Sequence, residues 1–221
     1  MKYFLIITVI VLFIVMGFVT FGYTPYETSA TKTNSFYIDE NFDIVRKVLV
    51  RAPSLEKMVE LSHGVLIEKK QEQVDLSIEK LSLRNPNWMI EAGGYFKVRH
   101  QNGYLKNKIL TLRQNVRLTK DCMDVHISLT EPVATLLEHD VTQRLERDGG
   151  KTKVTQTVTM KIQYRIIHTK RIKAIVDTEL DKAISECIAE EEHGIREVVR
   201  IYKERPIHIP IIKSPKGKPK S

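Results

Sequence analysis

Three polar side chains fall on the apolar face of one predicted β-hairpin, where they could bind a small molecule or act on it. His139, Gln143 and Gln156 alternate with apolar residues in the two runs that flank "RDGGK". An imidazole can accept a proton from a substrate, and an amide can hold a ligand by hydrogen bonds. The alternative is structural: the two amides bond to each other and the imidazole to a nearby carbonyl, because a buried polar group without a partner costs about 1–3 kcal/mol.

Other catalytic and metal-binding motifs are missing from the sequence. No H-x-x-x-H or C-x-x-C pair places two ligands on one element, and there is no G-x-S-x-G, glycine-rich phosphate loop or dinucleotide fingerprint. The run "EEEH" from Glu190 to His193 could hold a metal, but a helix spreads successive residues around its surface, so we interpret the run as a solvated face. We therefore assign no catalytic residue, no metal site and no cofactor.

The hairpin that carries the polar residues is defined by its alternation. If Gly149 and Gly150 form a two-residue turn with positive φ at both positions, Asp148 faces Lys151 and Gln143 faces Gln156. Apolar pairs then share one face: Leu145–Val154, Val141–Val158 and Leu137–Ile162. Opposite charges meet on the other face: Glu146–Lys153 and Glu138–Lys161. The apolar face adds four candidate ligand contacts: Val141, Val158, Met160 and Tyr164.

The rest of the chain predicts more strands and one long helix. Period-two alternation in "QVDLSI", "YFKVRH", "KNKILTLRQNVRL" and "CMDVHISL" brings the expected strand count to about six or seven. Gly93 and Gly94 indicate a turn or a bulge. From Lys170 to Lys203 apolar residues recur every three or four positions, which predicts an amphipathic helix that Gly194 could kink. Such a helix must cover the sheet, since neither apolar face is stable in water alone.

The stretch "KVLVRAPSLEKMVEL" changes its hydrophobic period abruptly. Val48, Val50 and Ala52 alternate as in a strand, and Pro53 ends the strand because it has no backbone donor. Ser54 is placed as the N-cap of a short helix. The apolar face of that helix comprises Leu55, Met58, Val59 and Leu61.

This order of elements resembles the START-like helix-grip (SRPBCC) superfamily, which includes polyketide cyclases, pollen-allergen-type carriers and lipid-transfer domains. The resemblance rests on "VLVRAP" leading into a short helix, the glycines of "EAGGYFKV", the strand meander, the D-G-G hairpin and the terminal helix, and it covers residues 43–203. It implies an α+β fold in which a curved antiparallel sheet wraps round the C-terminal helix and encloses a cavity. The tryptophan-rich loop of many relatives is absent, and Trp88 is the only tryptophan.

The N-terminal run is long enough to cross a bilayer. No charged residue lies between Lys2 and Glu27, and a membrane helix needs roughly 20 apolar residues. We predict a transmembrane anchor over residues 1–26, with residues 3–23 in the lipid, because a signal-peptide core of about 7–15 residues would be shorter. Residues 27–42 are polar and are interpreted as a spacer. The position of Lys2 favours a single-pass protein with its domain on the exported side.

Charge and cysteine content narrow the partners further. The net charge is +8, but six basic residues against a single Glu follow Tyr202. We predict that the proline-rich tail over residues 204–221 is disordered. The body shows no basic stripe with interleaved aromatics, so we predict no nucleic-acid partner. Cys122 and Cys187 could form a disulfide or remain thiols.

Together these features predict a membrane-anchored START-like domain that binds or transfers an apolar ligand, such as a lipid or an isoprenoid-like molecule. Two alternatives stay open. One is a cyclase- or dehydratase-like enzyme that uses the same cavity with His139 as general base. The other is a scaffold whose interior holds no ligand.

Overall fold

One antiparallel sheet and three helices form the part of the chain that the computed structural model describes, residues 23–77, 89–101 and 105–204. The strands are β1 (Thr24–Ile38), β2 (Gly64–Ser77), β3 (Met89–His100), β4 (Ile109–Thr119), β5 (Cys122–Leu129), β6 (Leu136–Asp148) and β7 (Lys151–Ile166). The helices are α1 (Phe42–Leu49), α2 (Ala52–Leu61) and α3 (Lys170–Tyr202). The spatial order β1-β7-β6-β5-β4-β3-β2, with α3 packed on β1 and β7, confirms the predicted α+β helix-grip arrangement.

Strand β1 corrects the prediction of a spacer over residues 27–42. Residues 27–38 of this range belong to β1, which pairs with β7 along its whole length, from Thr24 opposite Ile166 to Ile38 opposite Thr152. The hydrophobic pattern did not predict this strand because most of its inward positions are polar. Lys32, for example, faces α3, where its Nζ lies 2.7 Å from an Asp181 carboxylate oxygen. A strand with polar residues on both faces lacks the alternation that identifies a half-buried strand.

The segment before Pro53 is a helix, so the predicted strand over Val48–Ala52 is wrong. Phe42, Val45 and Val48 are buried at a spacing of three, which is the helical period, and the Asn41 side chain accepts a hydrogen bond from the Asp43 amide to cap α1. The alternation of Val48 with Val50 therefore misled the prediction, because Val50 lies beyond the helix end and is exposed.

Helix α2 forms as predicted, but Ser54 is not its N-cap. Arg51 holds that position, and Pro53 lies in the first turn, where no backbone donor is needed. Ser54 is fully buried, and its hydroxyl donates to the Val48 carbonyl at 2.6 Å. The hydroxyl therefore ties the end of α1 to the start of α2.

The β6–β7 hairpin has the predicted register from Asp148 opposite Lys151 to Glu138 opposite Lys161. Beyond Glu138 a bulge in β6 places Leu136 opposite Ile162, so the predicted Leu137–Ile162 pair is wrong and Leu136 is the buried residue. Only Gly149 of the two turn glycines has a positive φ, of 59°. That pattern is typical of a type II′ turn, in which the first central residue alone needs this conformation.

A second bulge explains the paired glycines of β3. The register between β2 and β3 shifts between Gln71 and Gln73, opposite Gly93 and Gly94. A Cβ atom at Gly94 would lie 2.6 Å from the Lys70 carbonyl oxygen, so only glycine allows the strands to approach this closely. The predicted bulge is therefore confirmed, although it lies in the partner strand.

Two apolar clusters fill the space between the sheet and the helices, and α3 contributes to both. The first apolar cluster includes Phe96, Leu112, Val141, Val158 and Met160 of the sheet with Leu180, Ile184 and Ile188 of α3. The second apolar cluster includes Phe36, Phe42, Val45, Leu145 and Val154 with Ile195, Val198 and Val199 of α3. The helix runs through Gly194 without interruption. The N-terminal part of α3 therefore packs in the first apolar cluster, and its C-terminal part packs in the second.

The predicted anchor and tail fall mostly outside the described residues. Thr24 begins β1 and pairs with β7, so residues 24–26 belong to the sheet and not to the predicted anchor. Within the three described ranges, no helix combines the length and the apolar composition needed to cross a bilayer. Ile78, Trp88 and residues 205–221 also lie outside these ranges.

A pair of substitutions tests whether β1 is structural. Phe36 is 6% exposed and Tyr37, its neighbour, is 45% exposed. We expect Phe36→Ala to lower the free energy of unfolding by about 3–5 kcal/mol, because it empties part of the second apolar cluster. Tyr37→Ala should change it by only about 0.5 kcal/mol. Denaturation of the detergent-solubilised chain, followed by circular dichroism, measures both; equal small effects would return residues 27–42 to the role of a spacer.

Candidate functional site

Three amide side chains form a row across the inner face of the sheet. Asn34 of β1 pairs with Gln156 of β7, and Gln156 pairs with Gln143 of β6, so the three are consecutive cross-strand neighbours. We call Asn34, Gln156 and Gln143 the amide row. It lies between the two apolar clusters and faces the middle of α3. The sequence predicted the Gln143–Gln156 pair but not Asn34, because Asn34 lay in the supposed spacer.

Each amide of the row donates a hydrogen bond to α3. Asn34 Nδ2 lies 3.1 Å from Oε2 of Glu192, Gln156 Nε2 lies 2.9 Å from the Ile188 carbonyl oxygen, and Gln143 Nε2 lies 2.8 Å from Oε2 of Glu191. The two glutamines therefore bond to the helix. The structural alternative, in which they bond to each other, is wrong.

Glu191 is the residue that the sequence interpretation missed. Its carboxylate lies inside the domain, and burial raises its pKa to about 7, although the hydrogen bond from Gln143 opposes this shift. Within the described residues no salt bridge joins it to a cation. The solvated interpretation of residues 190–193 is wrong for Glu191. Ile184, Cys187 and Glu191 follow one another at spacings of three and four, so the helical period already placed this carboxylate on the inner face.

His139 lies on β6 two inward-facing positions away from the amide row, beyond Val141, and has a neutral ring at pH 7. Burial, and to a smaller extent the nearby His100, lower its pKa to about 4. Its Nε2 lies 3.7 Å from Sγ of Cys187, which in turn lies 3.9 Å from Oε1 of Glu191. Burial also raises the pKa of Cys187 well above its ordinary value, so the thiol keeps its proton. The two cysteines do not form a disulfide with each other.

Two buried polar atoms of this region have no partner among the described residues. They are Nδ1 of His139 and Oε1 of Gln156. Gln156 is fully buried, so water does not solvate its oxygen. Since buried polar atoms in folded proteins are nearly always paired, each such atom indicates a missing partner. Both atoms belong to inward-facing residues, with the buried Val141–Val158 pair between His139 and the amide row. We call these two atoms and the Glu191 carboxylate the polar site.

The interior beside α3 is packed tightly on one side and loosely on the other. Val141, Val158 and Met160, three predicted ligand contacts, are at most 7% exposed and pack in the first apolar cluster. Tyr164 is half-buried against the same cluster. Other inward-facing side chains of β4–β6 and α3 are also only half-buried: Gln114, Val116, Ile127, Leu129, His139, Val176 and Cys187. Because α3 packs on β1 and β7, it covers the inner face of β4–β6 less completely.

An open groove of about 670 Å³ lies on the other face of the sheet. Its polar lining includes Arg117, His126 and Arg144, and these side chains already have partners. Arg144 lies 2.8 Å from Glu146, Arg117 lies 3.6 Å from Glu91, and His126 lies 2.6 Å from Asp140. Exposed pairs of this kind are worth little to a ligand or to stability. The polar site on the inner face is therefore the better candidate for ligand binding, because two of its atoms lack partners and those charged side chains of the groove do not.

The fold and the buried polar site define a helix-grip domain. No family model and no curated protein matches the sequence. Within the described residues, no three His, Cys, Asp or Glu side chains are grouped so that they could hold a metal ion.

Solved structures match the fold at low identity. The aromatase/cyclase Zhui from Streptomyces sp. R1128 is 10% identical over 80% of this chain and 95% of that chain, with a TM-score of 0.42. A truncated norcoclaurine synthase from Thalictrum flavum is 10% identical over 78% and 94%, with a TM-score of 0.43. A protein of unknown function from Staphylococcus aureus is 9% identical over 79% and 96%, with a TM-score of 0.49. At these values the likenesses transfer no ligand and no residue role to this chain.

The pKa shifts of Glu191 and His139 predict opposite pH dependences of stability. Glu191 has a pKa of about 7 when folded and an ordinary value of 4.5, so the free energy of unfolding falls as pH rises from about 4.5 to about 7. His139 has a pKa of about 4 when folded and an ordinary value of 6.5, so stability is lost as pH falls from about 6.5 to about 4. The two trends offset each other over most of this range.

Glu191→Gln should expose the contribution of His139. Relative to the natural chain, the variant should gain about 2–3 kcal/mol of unfolding free energy between pH 4.5 and 7, because the buried carboxylate no longer ionises. In His139→Phe, the free energy of unfolding should no longer contain the loss that His139 causes as pH falls from about 6.5 to about 4. Glu190→Gln, at the exposed neighbouring position, is the matched control. Denaturant titrations across this pH range measure all three, and identical profiles for the Glu190 and Glu191 variants would contradict the buried site.

Proposed function

We propose that this chain is a membrane-anchored helix-grip domain that binds an apolar molecule carrying one polar group, between the sheet and α3. The observation that carries the proposal is the pair of buried, unpartnered atoms, His139 Nδ1 and Gln156 Oε1, beside the Glu191 carboxylate. A folded protein tolerates such atoms where a ligand supplies the missing partner. The domain's role is therefore binding or transfer, with recognition by a few convergent polar groups.

The surrounding side chains indicate the chemistry of the ligand. Ile127, Leu129 and Val176 are half-buried and offer an apolar wall, which suits a lipid-like or isoprenoid-like body. Gln156 Oε1 accepts hydrogen bonds only, so the polar group of the ligand should carry a donor, such as a hydroxyl or an amine. Glu191 strengthens this preference because it is an acceptor when ionised and has no cationic partner within the described residues.

A cyclase- or dehydratase-like enzyme is the second candidate, and Glu191 is the residue that favours it. A general base works best when its pKa lies near the working pH. His139, with a pKa of about 4, is too weak a base at neutral pH, whereas the Glu191 carboxyl, with a pKa of about 7, can both accept and return a proton. If the domain has catalytic activity, Glu191 would be its acid–base group and the amide row would hold the substrate.

The membrane anchor belongs to the same proposal. Residues 3–22 contain no charged side chain, and β1 begins directly after them at Thr24. We place this run in the bilayer as a single span. The anchor holds the binding site close to a source of apolar molecules.

Ligand capture tests the proposed function. The full chain, purified in a mild detergent and then extracted, should release a defined apolar molecule that mass spectrometry identifies. Gln156→Leu should retain several-fold less of it, because the acceptor for the polar group is gone. Gln163→Leu is the matched control, since Gln163 lies on the same strand and bonds to Glu27 on the outer face. Equal occupancy in both variants, or an empty natural chain, would contradict the binding role.

Two further measurements separate binding from structure and from catalysis. If Gln156 serves a ligand, Gln156→Leu should change the stability of the ligand-free chain by less than about 1 kcal/mol, because the lost hydrogen bond to the Ile188 carbonyl is offset by the removal of an unpaired buried oxygen. A larger loss of stability would instead indicate a purely structural glutamine. Should the extracted molecule be converted by the chain, Glu191→Gln should abolish its conversion and keep its binding.

A further inference from the structure

One end of the domain collects cations that have no acidic partners. The first strand begins there, β3 leads into β4 there, and β7 leads into α3 there. We call six residues of this end the basic end: Lys106, Lys108, Arg165, Lys170, Arg171 and Lys173. Five of them are exposed, and Lys173 is half-buried with its ammonium 5.1 Å from the centre of the Tyr26 ring.

The pairing of charges differs between the two ends. Within the described residues, none of the six cations takes part in a salt bridge. At the opposite end three cations have acidic partners: Lys151 lies 2.6 Å from Asp39, Arg147 lies 2.9 Å from Asp43, and Lys203 lies 2.7 Å from Glu40. The basic end therefore presents an excess of positive charge that the fold itself does not neutralise.

The position of three of these cations runs against helix electrostatics. Lys170, Arg171 and Lys173 lie in the first turn of α3, which contains no acidic residue. The N-terminus of a helix carries partial positive charge, so cations there are unfavourable and acids are preferred. Stability therefore does not explain this choice of residues, whereas attraction to an external anion does.

The covalent connection of the chain identifies the anionic partner. Thr24 lies opposite Ile166, three residues before the Thr169 cap of α3, so the apolar run that ends at residue 22 enters the domain at the basic end. Exposed apolar residues surround the cations: Tyr23 is 42% exposed, Ile109 is 44% exposed and Ile175 is 55% exposed. Cations mixed with tyrosine and aliphatic side chains suit the headgroup region of a bilayer.

We propose that the basic end docks on the anionic headgroups of the membrane and fixes the orientation of the domain. The docking is a second contact, independent of the anchor, and it would persist as a salt-sensitive attraction if residues 1–22 did not span the bilayer. The basic end is also distinct from the basic C-terminal tail of the sequence. The described chain ends at Glu204 beside the C-terminus of α3, at the opposite end of the domain.

Two tryptophan reporters test the orientation in the full chain. Ile175 and Val50 are both 55% exposed, and Val50 lies at the opposite end, where its neighbour Arg51 bonds to the Tyr202 carbonyl. Ile175→Trp and Val50→Trp, each with Trp88→Phe, are reconstituted into nanodiscs of brominated phosphatidylcholine with or without phosphatidylglycerol. We expect the bromines to quench the Ile175→Trp reporter far more strongly, and more so in anionic discs. Equal quenching of the two reporters would overturn the proposal.

Charge reversal tests the electrostatic origin of the contact. Each cation near an anionic surface changes binding about fivefold, so Lys170→Glu with Arg171→Glu should abolish the dependence of quenching on phosphatidylglycerol. Lys69→Glu with Lys70→Glu, two exposed lysines of β2, is the matched control and should preserve it. Salt of about 1 M, where the Debye length is about 3 Å, should also abolish the dependence of quenching on phosphatidylglycerol. Quenching that ignores salt and both reversals would contradict docking by the basic end.

Vesicle flotation separates this inference from the proposed anchor. A chain with a true anchor floats with neutral vesicles at any salt concentration. A chain that floats only with anionic vesicles, and only at low salt, lacks the anchor and still supports the basic end. A chain that floats with neutral vesicles and shows no charge-dependent quenching keeps the anchor and overturns the docking.

Discussion

The polar layer between the two apolar clusters determines how α3 is positioned. Asn34, Gln156 and Gln143 would be costly to bury without partners, and α3 supplies those partners from Ile188, Glu191 and Glu192. A slide of the helix by one turn would keep apolar contacts but would misplace all three hydrogen bonds. Apolar packing therefore holds α3 on the sheet, and the amide row selects one register for it.

The hydrogen bonding of this polar layer is incomplete: Gln156 Oε1 has no donor and Glu191 has no cationic partner within the described residues. A scaffold would gain stability by replacing Gln156 and Glu191 with apolar residues, since a buried acceptor and a buried carboxylate without a cation are both unfavourable. Their presence is consistent with a site that is completed only by a guest. The tight packing of Val141 and Val158 leaves no space between the sheet and α3 at these two positions.

The sequence predicted those parts of the fold whose hydrophobic period is regular. The β6–β7 register and the span of α3 followed from alternation and from the three-to-four spacing. Strand β1 could not be found this way, because Lys32 and Asn34 occupy inward positions, and α1 was obscured by the chance alternation of Val48 and Val50.

The candidate site was only partly predictable, for a different reason. His139, Gln143 and Gln156 followed from their place on an apolar face. Glu191 was accessible from the helical period but was overlooked because its acidic neighbours suggested solvent. The unpartnered atoms depend on ångström-scale distances between α3 and the sheet, which no residue pattern encodes.

The direct junction between residue 22 and β1 has a mechanical consequence. A tension applied through the N-terminal run would pull along β1 and load its ladder with β7 in shear, over fifteen residue pairs at once. A peeling load would instead break these bonds one after another. A pull on Tyr23 would therefore reach the interior of the domain through its longest continuous strand pairing.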